Sequence, residues 1–266
     1  MKKSIFSLIA GVLLLGLLYG CSEQSDQASG EIKVGVILGF TGPIESLTPT
    51  MASSAELAMK EASDSGALLG GASVTSARAD STCVDSAAAT SAAERLVTAD
   101  KVAAIMGADC SGVTTAIANN VAVPNGVTMI SPSATSPALT TIEDKGFFFR
   151  TAPSDARQGQ ILAQVVMDRG IDKVAVTYTN NDYGKGLSDS FVGAFKALGG
   201  TVTTEVPHED GKADYSAEVS TLSASGASEV AVLGYVDQGG RGIIQNSLDT
   251  GAFSRFILAD GMIGQS

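Results

Sequence analysis

Short apolar runs of strand length alternate with helix-length segments from residue 31 almost to the end of the chain. The first run, residues 31–39, is apolar at nearly every position, which is typical of a strand buried on both faces. Later runs end in loops of small and polar residues that lead into segments with helical periodicity. This alternation, with short connections, predicts parallel α/β sheets. The pattern restarts near residue 152, so we predict two similar sheets in series rather than one barrel.

The first 20 residues are predicted to be an export signal that lies outside the fold. Lys2-Lys3 precedes an apolar segment, residues 5–18, that is short for a membrane span. The following Leu18-Tyr19-Gly20-Cys21 resembles the bacterial lipobox, where the signal is cut before a cysteine that receives a lipid, although its tyrosine is unusually bulky. We expect lipidated Cys21 to anchor the protein to a membrane through a polar tether, residues 21–30. The alternative is ordinary secretory cleavage, with Cys21 an incidental thiol.

Composition excludes several classes of function. A net charge of −11 argues against nucleic-acid binding, which needs a basic surface. The single histidine, His208, falls in a predicted polar turn, so the sequence offers almost no residues for Ser–His or Cys–His catalysis. The sequence contains no Gly-x-Ser-x-Gly elbow, no phosphate-binding loop and no Cys/His set with metal-ligand spacing. We therefore predict a protein that is not an enzyme and that needs no cofactor or metal.

Two successive strand-to-helix corners between residues 107 and 137 form the first candidate site. Ser111 follows one predicted strand and precedes a predicted helix over residues 113–121, and Ser133 follows the next strand. Ligands of open parallel sheets bind outside the carboxyl ends of the strands, and the N–H groups at a helix start favour an anion. We predict half of a pocket for a small carboxylate. The alternative is that both serines merely cap helices.

Two cysteines remain once Cys21 is set aside as a lipid acceptor. Cys83 and Cys110 are both predicted at the carboxyl ends of strands, and export would place them where disulfides persist. A bond between them would contribute roughly 3–4 kcal/mol by the chain-entropy model. The alternative is a pair of separate thiols.

Several segments, in their order and spacing, resemble one protein family. The chain resembles the type I periplasmic solute-binding proteins of the branched-chain amino acid (Leu/Ile/Val-binding) family of ABC importers, over about residues 32–266. Each segment alone is weak evidence, and the resemblance depends on their order and spacing together. The segments are IKVGVILGFTGP, ISPSATSPALT, FFRTAPSD, YTNNDYGKGL and DYSAEVSTL.

The resemblance implies two doubly wound parallel-sheet lobes, residues 31–151 and 152–266, that close on a ligand like a clamshell. In the family's pattern, Ser111 and the segment Ser133-Ala134-Thr135 hold the ligand's carboxylate and part of its ammonium group. Asp260 matches the acidic position that pairs with the α-ammonium. The family's disulfide matches Cys83 and Cys110, and the residues that close over the ligand match Tyr183 and Tyr235.

Simpler structural roles remain open for three of these residues. Tyr183 and Tyr235 could simply pack against their own secondary-structure elements. Asp260, which precedes Gly261, could simply be a turn residue. Two departures from the family's pattern matter. The chain is shorter than usual, so the second lobe is predicted to be incomplete at its C-terminus. The loop 43–50 lacks an aromatic side chain, so a preference for leucine, isoleucine or valine does not follow.

The resemblance also implies a role in transport. We expect an exported protein, periplasmic or at the cell surface, that binds an amino acid or a related small carboxylate or amide and delivers it to the membrane permease of an ABC importer. The alternative is a lipoprotein of the same fold that acts as a sensor ectodomain or activates a cell-envelope enzyme. The sequence does not identify the ligand.

Overall fold

The computed structural model describes residues 30–264 and contains two parallel β-sheets flanked by helices. The first sheet has the strand order β2-β1-β3-β4-β5, so the chain winds in both directions from β1. Every recorded strand pair within it is parallel. Its strands are β1 (Glu31–Leu38), β2 (Ser73–Asp80), β3 (Ala104–Gly107), β4 (Thr128–Ser131) and β5 (Phe148–Arg150).

The second sheet repeats this plan over the later part of the chain. Its order is β7-β6-β8-β9, again parallel, so β6 takes the place that β1 has in the first sheet. Its strands are β6 (Lys173–Thr179), β7 (Thr201–His208), β8 (Val230–Leu233) and β9 (Phe256–Leu258). The prediction of two doubly wound α/β lobes is confirmed.

Two helices of the first lobe, α1 and α2, begin where the sequence supplies a proline or a side-chain cap. Asp85 caps α2 by accepting hydrogen bonds from the N–H groups of Ala87 and Ala88 at 2.9 and 3.0 Å. The predicted helix over 113–121 begins two residues earlier and continues through a π-helical turn, Ala118–Ala122, into Val123–Asn125. The helices are α1 (Thr48–Asp64), α2 (Ser86–Thr98) and α3 (Ser111–Ile117).

One helix of the second lobe begins directly after β6. Asn181 caps it by accepting hydrogen bonds from the N–H groups of Tyr183 and Gly184, so the helix starts at Asp182. Tyr183 therefore lies in the rigid first turn of a helix, not in a loop. The helices of this lobe are α4 (Asp155–Asp168), α5 (Asp182–Ala197), α6 (Ser216–Ala224) and α7 (Gly239–Thr250).

The apolar core continues from one lobe to the other. One cluster of buried side chains extends from β1 and β3 through Ala134 to β6 and α5. The bulkiest fully buried side chains are Phe191 and Phe195 of α5, whose rings stack with centroids 5.5 Å apart. In the second lobe, α5 packs most extensively on α4, so these two helices form one layer on the sheet. Within residues 30–264, no helix has both the length and the apolar character needed to cross a membrane.

The buried histidine makes the stability of the second lobe depend on pH. His208 is 1% exposed, its Nδ1 lies 2.8 Å from Thr177 Oγ1, and its Nε2 has no hydrogen-bond partner among residues 30–264. Burial lowers the pKa of His208 to about 4. In the unfolded chain the pKa of this imidazole is near 6.5. As the pH falls from about 6.5 to about 4, the unfolded chain therefore binds a proton at His208 and the folded protein does not.

We expect this histidine to remove about 3 kcal/mol of unfolding free energy over that pH range. Denaturant unfolding of the wild type and of His208→Asn at several pH values measures this loss. Carboxylates titrate over the same range, so the quantity to compare is the unfolding free energy of the wild type minus that of His208→Asn. This difference should increase as the pH rises from about 4 to about 6.5. A difference that stays constant with pH would contradict the burial of a neutral imidazole.

Candidate functional site

A small cavity lies between the lobes, at the carboxyl ends of the strands of both sheets. Its volume is about 120 Å³. An engineered apolar cavity of about 150 Å³ in another protein binds benzene, so this space has the scale of a small organic ligand. Its lining residues follow the strands of both sheets or lie on α1 and the loop before it: Ile44, Leu47, Met51, Asp109, Cys110, Ser111, Ser133, Tyr183, Tyr235, Asp260 and Gly261.

Ser111 brings a hydroxyl group to this cavity. It is the first residue of α3, is 1% exposed, and accepts a hydrogen bond from the N–H of Ser136 at 3.1 Å. Because that N–H occupies an acceptor position on the oxygen, the hydroxyl hydrogen can be donated to a ligand. The capping alternative is wrong for Ser111, since the N-cap residue is Cys110 and makes no side-chain cap. Ser111 is therefore suited to hold a carboxylate.

Ser133 presents the opposite chemistry. Its hydroxyl donates to the backbone carbonyl oxygen of Asp109 at 3.1 Å, and it caps none of the helices in residues 30–264. With its proton used in this way, the oxygen offers lone pairs to the cavity. Lone pairs suit the N–H groups of an ammonium. The two serines, one donor and one acceptor, thus match the two ends of a zwitterion.

Asp109, which the sequence did not single out, fixes this wall. One of its oxygens accepts from the N–H of Gly39 at 2.7 Å, and the other accepts from the N–H of Cys110 at 3.0 Å and from the hydroxyl of Ser81 at 3.3 Å. These partners follow β1, β2 and β3, so one carboxylate ties three strand exits together. Burial raises the pKa of Asp109 above its usual range. Its position between Cys110 and the end of β3 was the available signal.

Ala134 and Thr135 occupy different places from the two serines. Ala134 is fully buried, and its N–H donates to Ser131 Oγ at 2.9 Å. Thr135 lines a wider groove of about 500 Å³ that adjoins the cavity, with Ser133 and Asp260 lining both spaces. The structure therefore brings five of the seven predicted ligand-binding residues to the small cavity, puts Thr135 beside it and leaves Ala134 in the core.

The second lobe contributes a stacked pair of tyrosines. The rings of Tyr183 and Tyr235 lie 18° from parallel with centroids 5.0 Å apart, and both side chains are buried. Tyr183 donates its hydroxyl proton to Asp260 Oδ1 at 2.8 Å and accepts from the N–H of Gly261 at 3.1 Å. Position 261 requires glycine, because a Cβ there would lie 2.5 Å from the carbonyl oxygen of Gly234. Burial holds the pKa of both tyrosines well above their usual value, so both are neutral donors.

The third wall is aliphatic. Ile44, Leu47 and Met51 lie on α1 and the loop before it, and they line the cavity beside the tyrosine pair. The loop lacks an aromatic side chain, as its sequence shows, but aliphatic side chains line the cavity there. Across the opening, Asp237 accepts from the N–H of Ser46 at 2.9 Å, and its own N–H donates to the carbonyl oxygen of Pro43 at 3.2 Å. This reciprocal pair joins the lobes beside the apolar wall.

A disulfide lies directly behind the site. Cys83 and Cys110 are bonded, with Cα atoms 5.2 Å apart, and both are 3% exposed. Cys110 is the N-cap residue of α3 and Cys83 follows β2, so the bond joins the corner that carries Ser111 to its neighbour. The predicted pairing is confirmed, and the alternative of two separate thiols is wrong. Cys21 lies outside the described residues.

The chain matches the family model described as periplasmic binding protein over residues 31–250. It is 32% identical to the Leu/Ile/Val-binding protein homolog 1 of Brucella melitensis, in an alignment that covers 99% of this chain and 68% of that protein. It is also similar to proteins of known structure. The leucine-binding protein LivK of Thermotoga maritima is 28% identical with a TM-score of 0.77, over 87% of this chain and 64% of that one.

A second solved structure gives a similar match. The branched-chain amino acid transporter substrate-binding protein LivJ of Streptococcus pneumoniae, in complex with isoleucine, is 28% identical with a TM-score of 0.76, over 88% of this chain and 65% of that one. The chain thus spans just under two thirds of the length of these two solved proteins.

Proposed function

Because the chain belongs to the periplasmic binding protein family, we propose that it captures an α-amino acid, or a related small carboxylate or amide, between its two lobes. The observation that carries this proposal is that Ser111 of the first lobe and Asp260 of the second line the same cavity. A zwitterion needs a proton donor for its carboxylate and an anion for its ammonium. Charge-assisted hydrogen bonds of both kinds are stronger than neutral ones.

The division of these groups between the lobes explains how a ligand would act. A ligand shifts a conformational equilibrium only by as much as it favours one state over the other. Ser111 and Ser133 of the first lobe can contact both ends of the ligand, but the anionic partner of the ammonium group, Asp260, lies on the second lobe, so only the closed arrangement gives the ammonium group its opposite charge. The pair of hydrogen bonds between Asp237 and the loop 43–46 adds to the contacts available on closure.

The apolar wall supports a ligand with an apolar side chain. Ile44, Leu47 and Met51 offer no hydrogen-bonding side-chain group, and a buried charge opposite them would be left without a partner. Two of the similar proteins bear names that refer to leucine, isoleucine or valine. We therefore propose amino acids with aliphatic side chains as the first ligands to test.

We also propose that the captured solute is passed to the membrane permease of an ABC importer, with residues 31–151 and 152–266 as the two lobes. Export by residues 1–20 and lipid attachment at Cys21 would place the protein at a membrane on the outer side of the cell. The competing role is that of a sensor ectodomain or an enzyme activator of the same fold that delivers no solute. A protein in that role that binds no solute has no need of opposed donor and carboxylate groups in one cavity.

Thermal unfolding with a panel of amino acids tests the proposal. A ligand at a hundred times its Kd adds about 2.7 kcal/mol of stability, which raises the Tm of a chain of this size by roughly 5–10 °C. Leucine amide lacks the carboxylate and isocaproate lacks the ammonium group, so each should raise the Tm less than leucine does. If no amino acid, amide or small carboxylate moves the Tm, the solute-binding proposal fails and the sensor or activator role gains support.

A further inference from the structure

Gln158 of α4 contacts two acidic side chains at the edge of the cavity. Its Nε2 donates to Asp260 Oδ1 at 2.8 Å and to Asp155 Oδ1 at 3.1 Å, and its Oε1 lies 3.4 Å from the backbone nitrogen of Asp260. Because both side-chain acceptors are carboxylate oxygens, only the NH₂ end of the carboxamide can face them. Chemistry therefore fixes the orientation of this amide.

These contacts leave one oxygen of Asp260 for a ligand. Oδ1 accepts from Gln158 and from the hydroxyl of Tyr183, each at 2.8 Å. Within the described part of the chain, no side chain or N–H donates to Oδ2. A carboxylate held by two donors on one oxygen has little freedom to rotate, so its second oxygen keeps a constant direction. Asp260 is an exposed residue, and without these donors its carboxylate would be free to turn into the adjoining groove.

Asp155 lies on the far side of the same amide. Its side chain is fully buried, and its Oδ2 has no hydrogen-bond partner among residues 30–264. The pKa of Asp155 is raised to about 6, chiefly by burial and also by the negative charge of Asp260, while hydrogen bonds from Thr135 and Gln158 and the positive charge of Arg150 oppose the rise. Two acidic groups thus lie close together, and Gln158 donates to both of them.

We propose that Gln158 is a positioning residue for ligand capture, which holds Oδ1 of Asp260 so that Oδ2 faces the ammonium group of an amino acid. The inference rests on the proposed function, because the direction of Oδ2 matters only if an ammonium group binds there. It assigns a role in affinity to a side chain that does not itself line the small cavity.

Calorimetric titration of the full chain with leucine, isoleucine and valine tests this role. Gln158→Leu keeps the approximate size of the side chain and removes its hydrogen bonds to both acidic residues, so we expect about a tenfold loss of affinity. Gln164→Leu is the matched control: Gln164 lies on the same helix and also donates to a carboxylate, Asp168, at 2.8 Å, but away from the cavity. The control should bind as tightly as the wild type.

Gln158→Glu provides a readout that a packing role would not affect. At a pH of about 8 the new carboxylate repels Asp260 and should weaken binding more than Gln158→Leu does. The neighbouring carboxylates should raise the pKa of this glutamate above its ordinary value of about 4.3, so that a large share of it is protonated at a pH of about 5. The protonated form donates one hydrogen bond and should recover part of the lost affinity relative to Gln158→Leu. The ratio of the two affinities should therefore change with pH, whereas a role in packing predicts a constant ratio.

The outcomes separate this proposal from the proposed function. If the wild type binds none of the three amino acids, the aliphatic ligands proposed above and the positioning role for their ammonium group are overturned, while the thermal-unfolding panel decides the wider solute-binding proposal. If the wild type binds and Gln158→Leu binds equally well, only the positioning role is overturned. In ligand-free protein, carboxyl ¹³C NMR should show that Gln158→Leu raises the pKa of Asp155, since it removes a hydrogen bond to the ionised form, and that Gln164→Leu does not. An unchanged pKa would also contradict the bridge between the two acids.

Discussion

Replacement of Asp260 by alanine is expected to weaken amino-acid binding by at least about 2 kcal/mol, roughly thirtyfold in Kd. Asp260 brings a carboxylate to the cavity, where Ser111 and Ser133 offer hydroxyl groups to the ligand. Asp260 is exposed, so water screens the attraction between its carboxylate and the ammonium group of a ligand. We therefore expect a loss of binding free energy at the lower end of the range known for buried ion pairs. Isothermal calorimetry measures the loss.

Matched variants separate the charge of Asp260 from its shape. Asp260→Asn keeps an oxygen that can accept from Tyr183 and Gln158, so it should preserve the fold and lose affinity because the negative charge is gone. Asp168→Ala removes one exposed negative charge from the surface of the same lobe and should leave the affinity for amino acids unchanged. Isocaproate, which has no ammonium group, should bind wild type and Asp260→Ala alike. Unchanged affinity of Asp260→Ala for amino acids would refute the ammonium role.

The architecture was predictable from the sequence because it follows from local patterns. Buried parallel strands are nearly all apolar, the helices between them have a different period, and polar residues collect where strands end. Once these strands lie side by side, their exits meet at one edge of each sheet. Ser111, Ser133, Tyr183, Tyr235 and Asp260 each follow a strand of one of the two sheets, and they line one cavity.

The finer arrangement depends on contacts that no local pattern encodes. Gln158 lies 102 residues from Asp260, and nothing in the sequence around it distinguishes it from the other glutamines of its helix. The direction of each hydroxyl proton depends on a distant partner: the N–H of Ser136 for Ser111, and the carbonyl of Asp109 for Ser133. The apolar wall required knowledge of how the loop before α1 folds over the cavity.

Removal of the disulfide is the second change for which we expect a large effect. The bond closes a loop between residues 27 positions apart, and the chain-entropy model gives roughly 3–4 kcal/mol for a loop of that length. For a chain of this size that corresponds to a fall in Tm of roughly 7–14 °C. The variant should be Cys83→Ala with Cys110→Ala, because both sites are buried and serine would bring an additional polar group into the core.

Reduction of the wild type distinguishes loss of the bond from loss of the sulfur atoms. A reducing agent should lower the Tm of the oxidised wild type most of the way to the Tm of the double variant. The Tm of the double variant itself should not change on reduction. The remaining difference is the cost of the two small cavities that the alanines leave. Because Cys110 is the N-cap residue of α3, which begins at Ser111, both treatments should also weaken ligand binding. If both thiols of unreduced, denatured protein react with a thiol label, the bond does not form and the expected loss of stability has no basis.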